Sequence, residues 1–267
     1  MDSLIPFSPV RVERLRRRAQ KACPVCGDAP EGWSRADADF GPLLAAFPPL
    51  ALRDGFALCG YRFMAGANGN AVIWALPVGG GAAPDPVHCM TGVEGIGGVE
   101  GVEAQPAGVA RPARPRPPGA VPVPEALHGD GSPWSYLCAS ILIRELGDFG
   151  AVSHGRWWGT HVMLCADPWT GGAQPSARRA QRARRTPDPL SWPGRGREEW
   201  CWLAAPPDDW RPAYRVDGDG RPAVSFYTYS GLGRETIYRH DDTYVPGSYV
   251  FSPTVSSVAE GGPGFFF

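Results

Sequence analysis

Ala223-Val224-Ser225-Phe226-Tyr227-Thr228-Tyr229, followed by Gly231-Leu232-Gly233 and Glu235-Thr236-Ile237-Tyr238-Arg239-His240, decides how this chain should be read. Both runs alternate and are rich in β-branched and aromatic residues, and glycines punctuate the join between them. The pattern predicts an antiparallel ribbon in which Tyr227 and Tyr229 share one face. Five of the eight tyrosines fall between residues 227 and 249. A row of phenols can wall a ligand site, or it can be a packed face whose hydroxyls reach solvent. Residues 244–251 predict a third strand, with Pro246-Gly247 as the point where it would break.

A second strand pair is legible upstream. Phe56 to Phe63 and Ala71 to Leu76 are apolar-rich runs flanking Ala65-Gly66-Ala67-Asn68-Gly69-Asn70. Asn-Gly tolerates positive φ and predicts a hairpin turn there. One long helix stands out against these strands. Ser132 suits an N-cap, Pro133 the first helical position and Gly150 the exit, so a helix is predicted from Trp134 to about Phe149. Its apolar arc is wide, which predicts burial against a sheet on more than one side. Trp158 to Cys165 follows as a predicted strand. Together these elements predict an α+β fold: one antiparallel sheet, made of the 56–76 hairpin, the 158–165 strand and the 223–251 strands, packed on one long buried helix.

The remaining segments divide the chain. Residues 1–30 hold a basic helix over 10–22, with Glu13 and Arg17 at pairing distance, and a Cys-x-x-Cys turn. Residues 31–260 read as a single domain. Within it, 91–124 repeats Gly-Val-Glu and alternates Pro with Arg, which predicts a flexible Pro/Gly-rich insertion. Residues 170–197 carry seven arginines between Arg178 and Arg197 and predict a solvated loop. They lack the interleaved aromatic platforms of a nucleic-acid surface, so the reading is against a nucleic-acid partner. Residues 261–267, with three closing phenylalanines, read as a flexible tail.

Composition excludes several chemistries. Lys21 is the single lysine beside twenty-five arginines, and it lies in no P-loop, Schiff-base or kinase setting. A formal net charge of −1 and 43% apolar residues argue against global disorder and against a dominating charged surface. No apolar run is long enough to span a bilayer. Seven cysteines without a signal-peptide pattern predict reduced thiols and a cytoplasmic location.

Candidate sites come from the histidines and aromatics. His154-Gly155-Arg156-Trp157-Trp158-Gly159-Thr160-His161 places two of the five histidines and two of the ten tryptophans in eight residues. Imidazole is the side chain most often recruited for proton transfer or ligation near neutral pH. His161, His240 and Asp242 are the candidate catalytic residues of a His-based or zinc hydrolase, with His154 as a further ligand. Structural roles are the alternative: His161 as a hydrogen-bonded sheet residue and His240 as part of a polar strand end. His154, Arg156, Trp157, Trp158, Tyr227, Tyr229 and Tyr238 are the candidate binding residues of an aromatic and histidine recognition pocket. Cys23 and Cys26 in Cys23-Pro24-Val25-Cys26-Gly27 are candidate zinc ligands, half a site that Cys59, His88 or Cys89 would have to complete; an unliganded turn is the alternative. Cys138 sits too far inside its helix for an activated thiol, and Ser135 lacks a nucleophile elbow. Two functions follow: a cytoplasmic binding or accessory protein that takes a protein or small-molecule partner, or a hydrolase built on His154, His161 and His240.

Overall fold

The computed structural model describes residues 4–24, 29–66, 68–79, 83–91, 113–152, 157–170 and 196–265. In chain order the elements are β1 (Ile5–Pro6), α1 (Pro9–Ala22), β2 (Gly32–Ala36), α2 (Gly41–Ala45), β3 (Leu50–Leu52), β4 (Phe56–Ala65), β5 (Asn68–Pro77), β6 (Met90–Thr91), β7 (Arg114–Pro115), β8 (Val121–Pro122), α3 (Val123–Ala126), β9 (Leu127–Gly129), α4 (Pro133–Gly147), β10 (His161–Leu164), β11 (Cys201–Trp202), β12 (Ala213–Val216), β13 (Pro222–Ser230), β14 (Arg234–Tyr244) and β15 (Phe251–Pro263). They form two compact units. The first comprises Met1–Arg14, Thr160–Thr243 and Ser252–Phe267; the second comprises Leu15–Gly159 and Tyr244–Phe251.

The first unit is a seven-stranded antiparallel sheet ordered β1-β12-β13-β14-β15-β11, with β10 also paired to β13. β13 is its spine. One edge takes β14 along most of its length; the other is shared, β12 lying against residues 222–225 and β10 against 227–230. Its alternating sequence buries both faces. Val162, Leu164, Tyr227, Tyr229 and Ile237 lie with Trp200, Trp210, Val258 and Ala259 on one side. Because directly opposed residues of an antiparallel pair share a face, Phe226 with His240, Thr228 with Tyr238 and Val224 with Asp242 define the other.

The second unit holds the sheet β2-β4-β5-β8, the pairs β3-β9 and β6-β7, and α4. α4 packs on β3, β5 and α3, and Ser132 caps it by accepting a hydrogen bond from the Ser135 amide. The 244–251 turn also grips this helix. The Tyr244 hydroxyl donates to the Tyr136 carbonyl at 2.6 Å and meets the Ser140 hydroxyl at 2.6 Å. The Tyr249 hydroxyl meets Ser135 Oγ at 2.8 Å and accepts from the Gly131 amide. Pro246-Gly247 does break the strand here, with Gly247 at φ +70°.

Several expectations are corrected. The protein is mostly antiparallel β, 41% strand and 23% helical, with a sheet curled into a half-barrel, and is not an α+β sheet packed on one long helix. The 56–76 hairpin and the C-terminal strands belong to separate sheets. Alternation specifies which face of a strand is apolar but not which strand lies beside it. The hairpin forms, yet Asn68-Gly69 opens β5 and does not make the turn. Gly69 is required for a different reason. Its backbone exchanges two hydrogen bonds with Val152, and a Cβ there would crowd Met64 Sδ and the Gly150 carbonyl. The 158–165 strand is shorter than expected, a 3-10 turn over Trp158–Thr160 preceding β10.

The insertion is ordered at its carboxyl end. β7 and β8 lie within it, and the Trp74 indole donates to the Pro115 carbonyl at 2.8 Å. Its residues 92–112 lie outside the described residues, as do 171–195 of the arginine-rich stretch. The predicted tail is strand up to Pro263, and Phe265 exchanges backbone hydrogen bonds with Gly231 and Gly233. Among the described residues, no helix is long and apolar enough to cross a membrane.

Candidate functional site

The register of β10, β13 and β14 sorts the candidate residues of the first unit onto opposite faces. His161, Tyr238, His240 and Asp242 lie on one; Tyr227 and Tyr229 lie on the other. The two imidazoles are joined through one hydroxyl: Thr228 Oγ1 is 2.7 Å from His161 Nδ1 and 2.8 Å from His240 Nε2. A hydroxyl has a single proton to donate. At least one of the facing ring nitrogens therefore carries a proton, or one contact would join two acceptors. His240 stacks on Phe226 with ring centres 4.6 Å apart and planes at 11°, and His161 stacks on Tyr238 at 5.2 Å. His161 is 2% exposed and His240, Thr228 and Asp242 are fully buried. The arrangement is a buried polar chain, two imidazoles joined through one hydroxyl, inside a packed face. Among the described residues, no three His, Cys, Asp or Glu side chains are grouped to hold a metal ion. Zinc binding is thus unsupported there. Cys23 is half-buried, while Cys26, His154 and Arg156 lie outside the described residues.

Trp157 and Trp158 belong to the second unit, Trp157 half-buried and Trp158 buried. Asp148, at the end of α4, accepts from the Trp157 and Trp158 amides through Oδ1 and from the Gly159 amide through Oδ2, at 2.8–3.0 Å. A Cβ at Gly159 would strike that carboxylate. The Trp158 ring is buried beneath the Arg16 guanidinium, 4.0 Å from the ring centre. Arg16 in turn pairs with Glu145 at 2.7 Å and donates to the Trp158 carbonyl. Burial pushes the Glu145 carboxyl up and the Arg16 guanidinium down, each opposed by the other's charge. Arg16 of the basic helix α1 and Glu145 at the polar end of α4 thus meet as a buried pair.

A different constellation is only partly buried. On the tyrosine face of the first unit, Trp169 lies 5.9 Å from Trp200, 5.7 Å from Trp202 and 6.1 Å from Trp210, and Trp210 lies 5.4 Å from Tyr227. Trp200, Trp210 and Tyr229 are buried and form the floor; Trp169, Trp202 and Tyr227 are half-buried and form the rim. Local structure sets each ring. Trp200 is extended and precedes Cys201 and Trp202 on β11, so the indoles at 200 and 202 point to the same side while Cys201 is exposed. Asp167 accepts from the Trp169 amide at 2.8 Å and fixes the turn that carries that indole. Gly261 on β15 leaves room for Trp200, since a Cβ there would come within 3.1 Å of the indole.

The charges around this rim are placed. The Arg197 guanidinium lies 5.3 Å from the centre of the Trp202 ring and 5.9 Å from that of Trp169, and 3.8 Å from Asp167. Arg239, opposite Tyr227 in the ladder, is held by Asp241 at 2.7 Å. Burial pushes the Tyr227 phenol above its ordinary range, against the pull of Arg239. Sequence reading missed Trp169, Trp200, Trp202 and Trp210. The Trp200-Cys201-Trp202 alternation carried a signal, but the arginine-rich stretch separates Trp169 from the other three and hid their convergence. No protein-family model, curated protein or solved structure matches this chain.

Proposed function

We propose that this protein is a non-catalytic binding protein whose recognition surface is the tryptophan and tyrosine rim of its first unit. The supporting observation is the set of half-buried rings, Trp169, Trp202 and Tyr227, seated on a floor of buried Trp200, Trp210 and Tyr229. Indole and phenol side chains combine large contact area with few rotatable bonds and a polar edge, which is why they dominate binding hot spots. The buried floor holds the rim rings in place, so little ordering entropy is lost on binding. The histidine chain is buried on the opposite face of the same sheet and acts as its internal polar brace, not as part of the recognition surface. The partner is a small molecule or an exposed side chain of another protein. The reading keeps the protein in a reducing cytoplasm, where Cys59, Cys89, Cys165 and Cys201 remain thiols.

The test is a titration followed by the indole N–H resonances of tryptophan-labelled protein. Cellobiose, adenosine and choline serve as probes of three ring-stacking ligand classes. At least one is expected to shift Trp169 and Trp202 saturably, with the response lost in Trp202→Ala. Unmoved resonances with all three, or a response that survives Trp202→Ala, overturn the proposal.

A further inference from the structure

Resting on that reading, we infer that the rim is a cage for a weakly hydrated organic cation, and that Arg197 is its displaceable internal occupant. The structure already seats a cation over the rings. The guanidinium of Arg197 lies within 6 Å of two indole centres, 5.3 Å for Trp202 and 5.9 Å for Trp169. Those indoles meet at 56°, so their faces flank a common space. The negative faces of aromatic rings attract a cation placed there.

The Asp167 carboxylate, 3.8 Å from the guanidinium and half-buried, adds a negative charge at the same point. Arg239, the other cation near Tyr227, is neutralised by its own bond to Asp241.

Displaceability follows from how Arg197 is held. Its side chain is 45% exposed. The backbone is anchored separately: the short turn Arg197–Glu199 is fixed by the Gly196 amide donating to Glu199 Oε1 at 2.8 Å. The side chain can therefore swing away without unfolding the turn. Arg16 shows the contrasting case. It also lies over an indole, but it is buried, ion-paired to Glu145 and hydrogen-bonded to the Trp158 carbonyl. One arginine is a permanent part of a core; the other is exposed over two half-buried rings and held by one long ion pair.

The experiment titrates wild type, Arg197→Ala and Asp167→Asn with three probes, read at the Trp169 and Trp202 indole resonances. Choline and N-acetylarginine amide are the cations, and 3,3-dimethylbutan-1-ol is the uncharged isostere of choline. Arg197→Ala is expected to bind a cationic probe about ten-fold more tightly than wild type, because the competing side chain is gone. The alcohol should bind the same variant at least five-fold more weakly than choline, and Asp167→Asn should bind both cations more weakly than wild type. Which cation binds better identifies the ligand as quaternary ammonium or guanidinium. Equal binding of choline and the alcohol, or no gain in Arg197→Ala, overturns the cation assignment. If cellobiose or adenosine binds at Trp202 while both cations fail, recognition by the rim stands and only the cation assignment falls; if no probe binds, both fall.

Discussion

Replacing Thr228 by valine removes the oxygen that joins His161 to His240 while keeping the side-chain volume almost unchanged. Two hydrogen bonds, of 2.7 and 2.8 Å, are lost. Each leaves a buried imidazole nitrogen facing a methyl group. An unsatisfied buried polar atom costs about 1–3 kcal/mol, so the pair amounts to roughly 2–6 kcal/mol, and about 4 is the working value. With a urea dependence of about 2–3 kcal/mol/M, the unfolding midpoint should fall by between 1 and 2 M, in round terms. Thr228→Ser is the control. It keeps the bridge and loses one methyl, for about 1 kcal/mol. The assay is urea unfolding of both variants followed by far-UV circular dichroism. A Thr228→Val midpoint within about 0.2 M of wild type, or a serine variant as unstable as the valine, would refute the view that this hydroxyl holds the two rings together.

Other outcomes follow from the same interior. Arg16→Met strands the buried Glu145 carboxylate and is expected to cost about 3–5 kcal/mol, whereas Arg16→Met with Glu145→Leu should recover most of it; chemical unfolding of the three variants shows whether the losses add or cancel. Burial pushes the Cys165 thiol up to about 12, with Glu13 adding to it. The folded chain thus keeps a proton that the unfolded chain has lost, and stability falls as pH rises from about 9 towards 12. The slope from this thiol is at most about 1.4 kcal/mol per pH unit. Urea melts at several alkaline pH values should show a shallower decline in Cys165→Ala, and an identical decline would mean that the thiol titrates normally. Asp148→Asn removes the charge that three amides share, so hydrogen exchange at the Gly159 amide should accelerate at least ten-fold, for a loss of about 1.4 kcal/mol.

Local features were written in the sequence and can be pointed to. The Ser132-Pro133 start predicted α4 because a side-chain acceptor and a preset φ serve a helix beginning regardless of what the helix packs on. The 223–240 alternation predicted β13 and β14, and Pro246-Gly247 the break after them. The alternation even separated Tyr227 and Tyr229 from Thr228. What it could not do was assign Tyr227 and Tyr229 to one face of the sheet and His161, Tyr238 and His240 to the other, because that requires the register between β10, β13 and β14. The pairing of Arg16 with Glu145 was out of reach for a related reason, because the two lie on helices far apart along the chain.

The sequence by itself determined the start of α4, the strand pairs β4–β5 and β13–β14, the break at Pro246-Gly247 and the scarcity of lysine-based chemistry, because these depend on composition or on neighbours within a few residues. Only the tertiary structure decided that the two hairpins lie in separate sheets, that His161 and His240 are enclosed, and that Trp169, Trp200, Trp202 and Trp210 converge, with the Arg197 guanidinium over Trp169 and Trp202. Those are contacts between residues far apart along the chain, set by strand register and by which apolar faces meet. Period and composition are the same whichever partner a strand acquires.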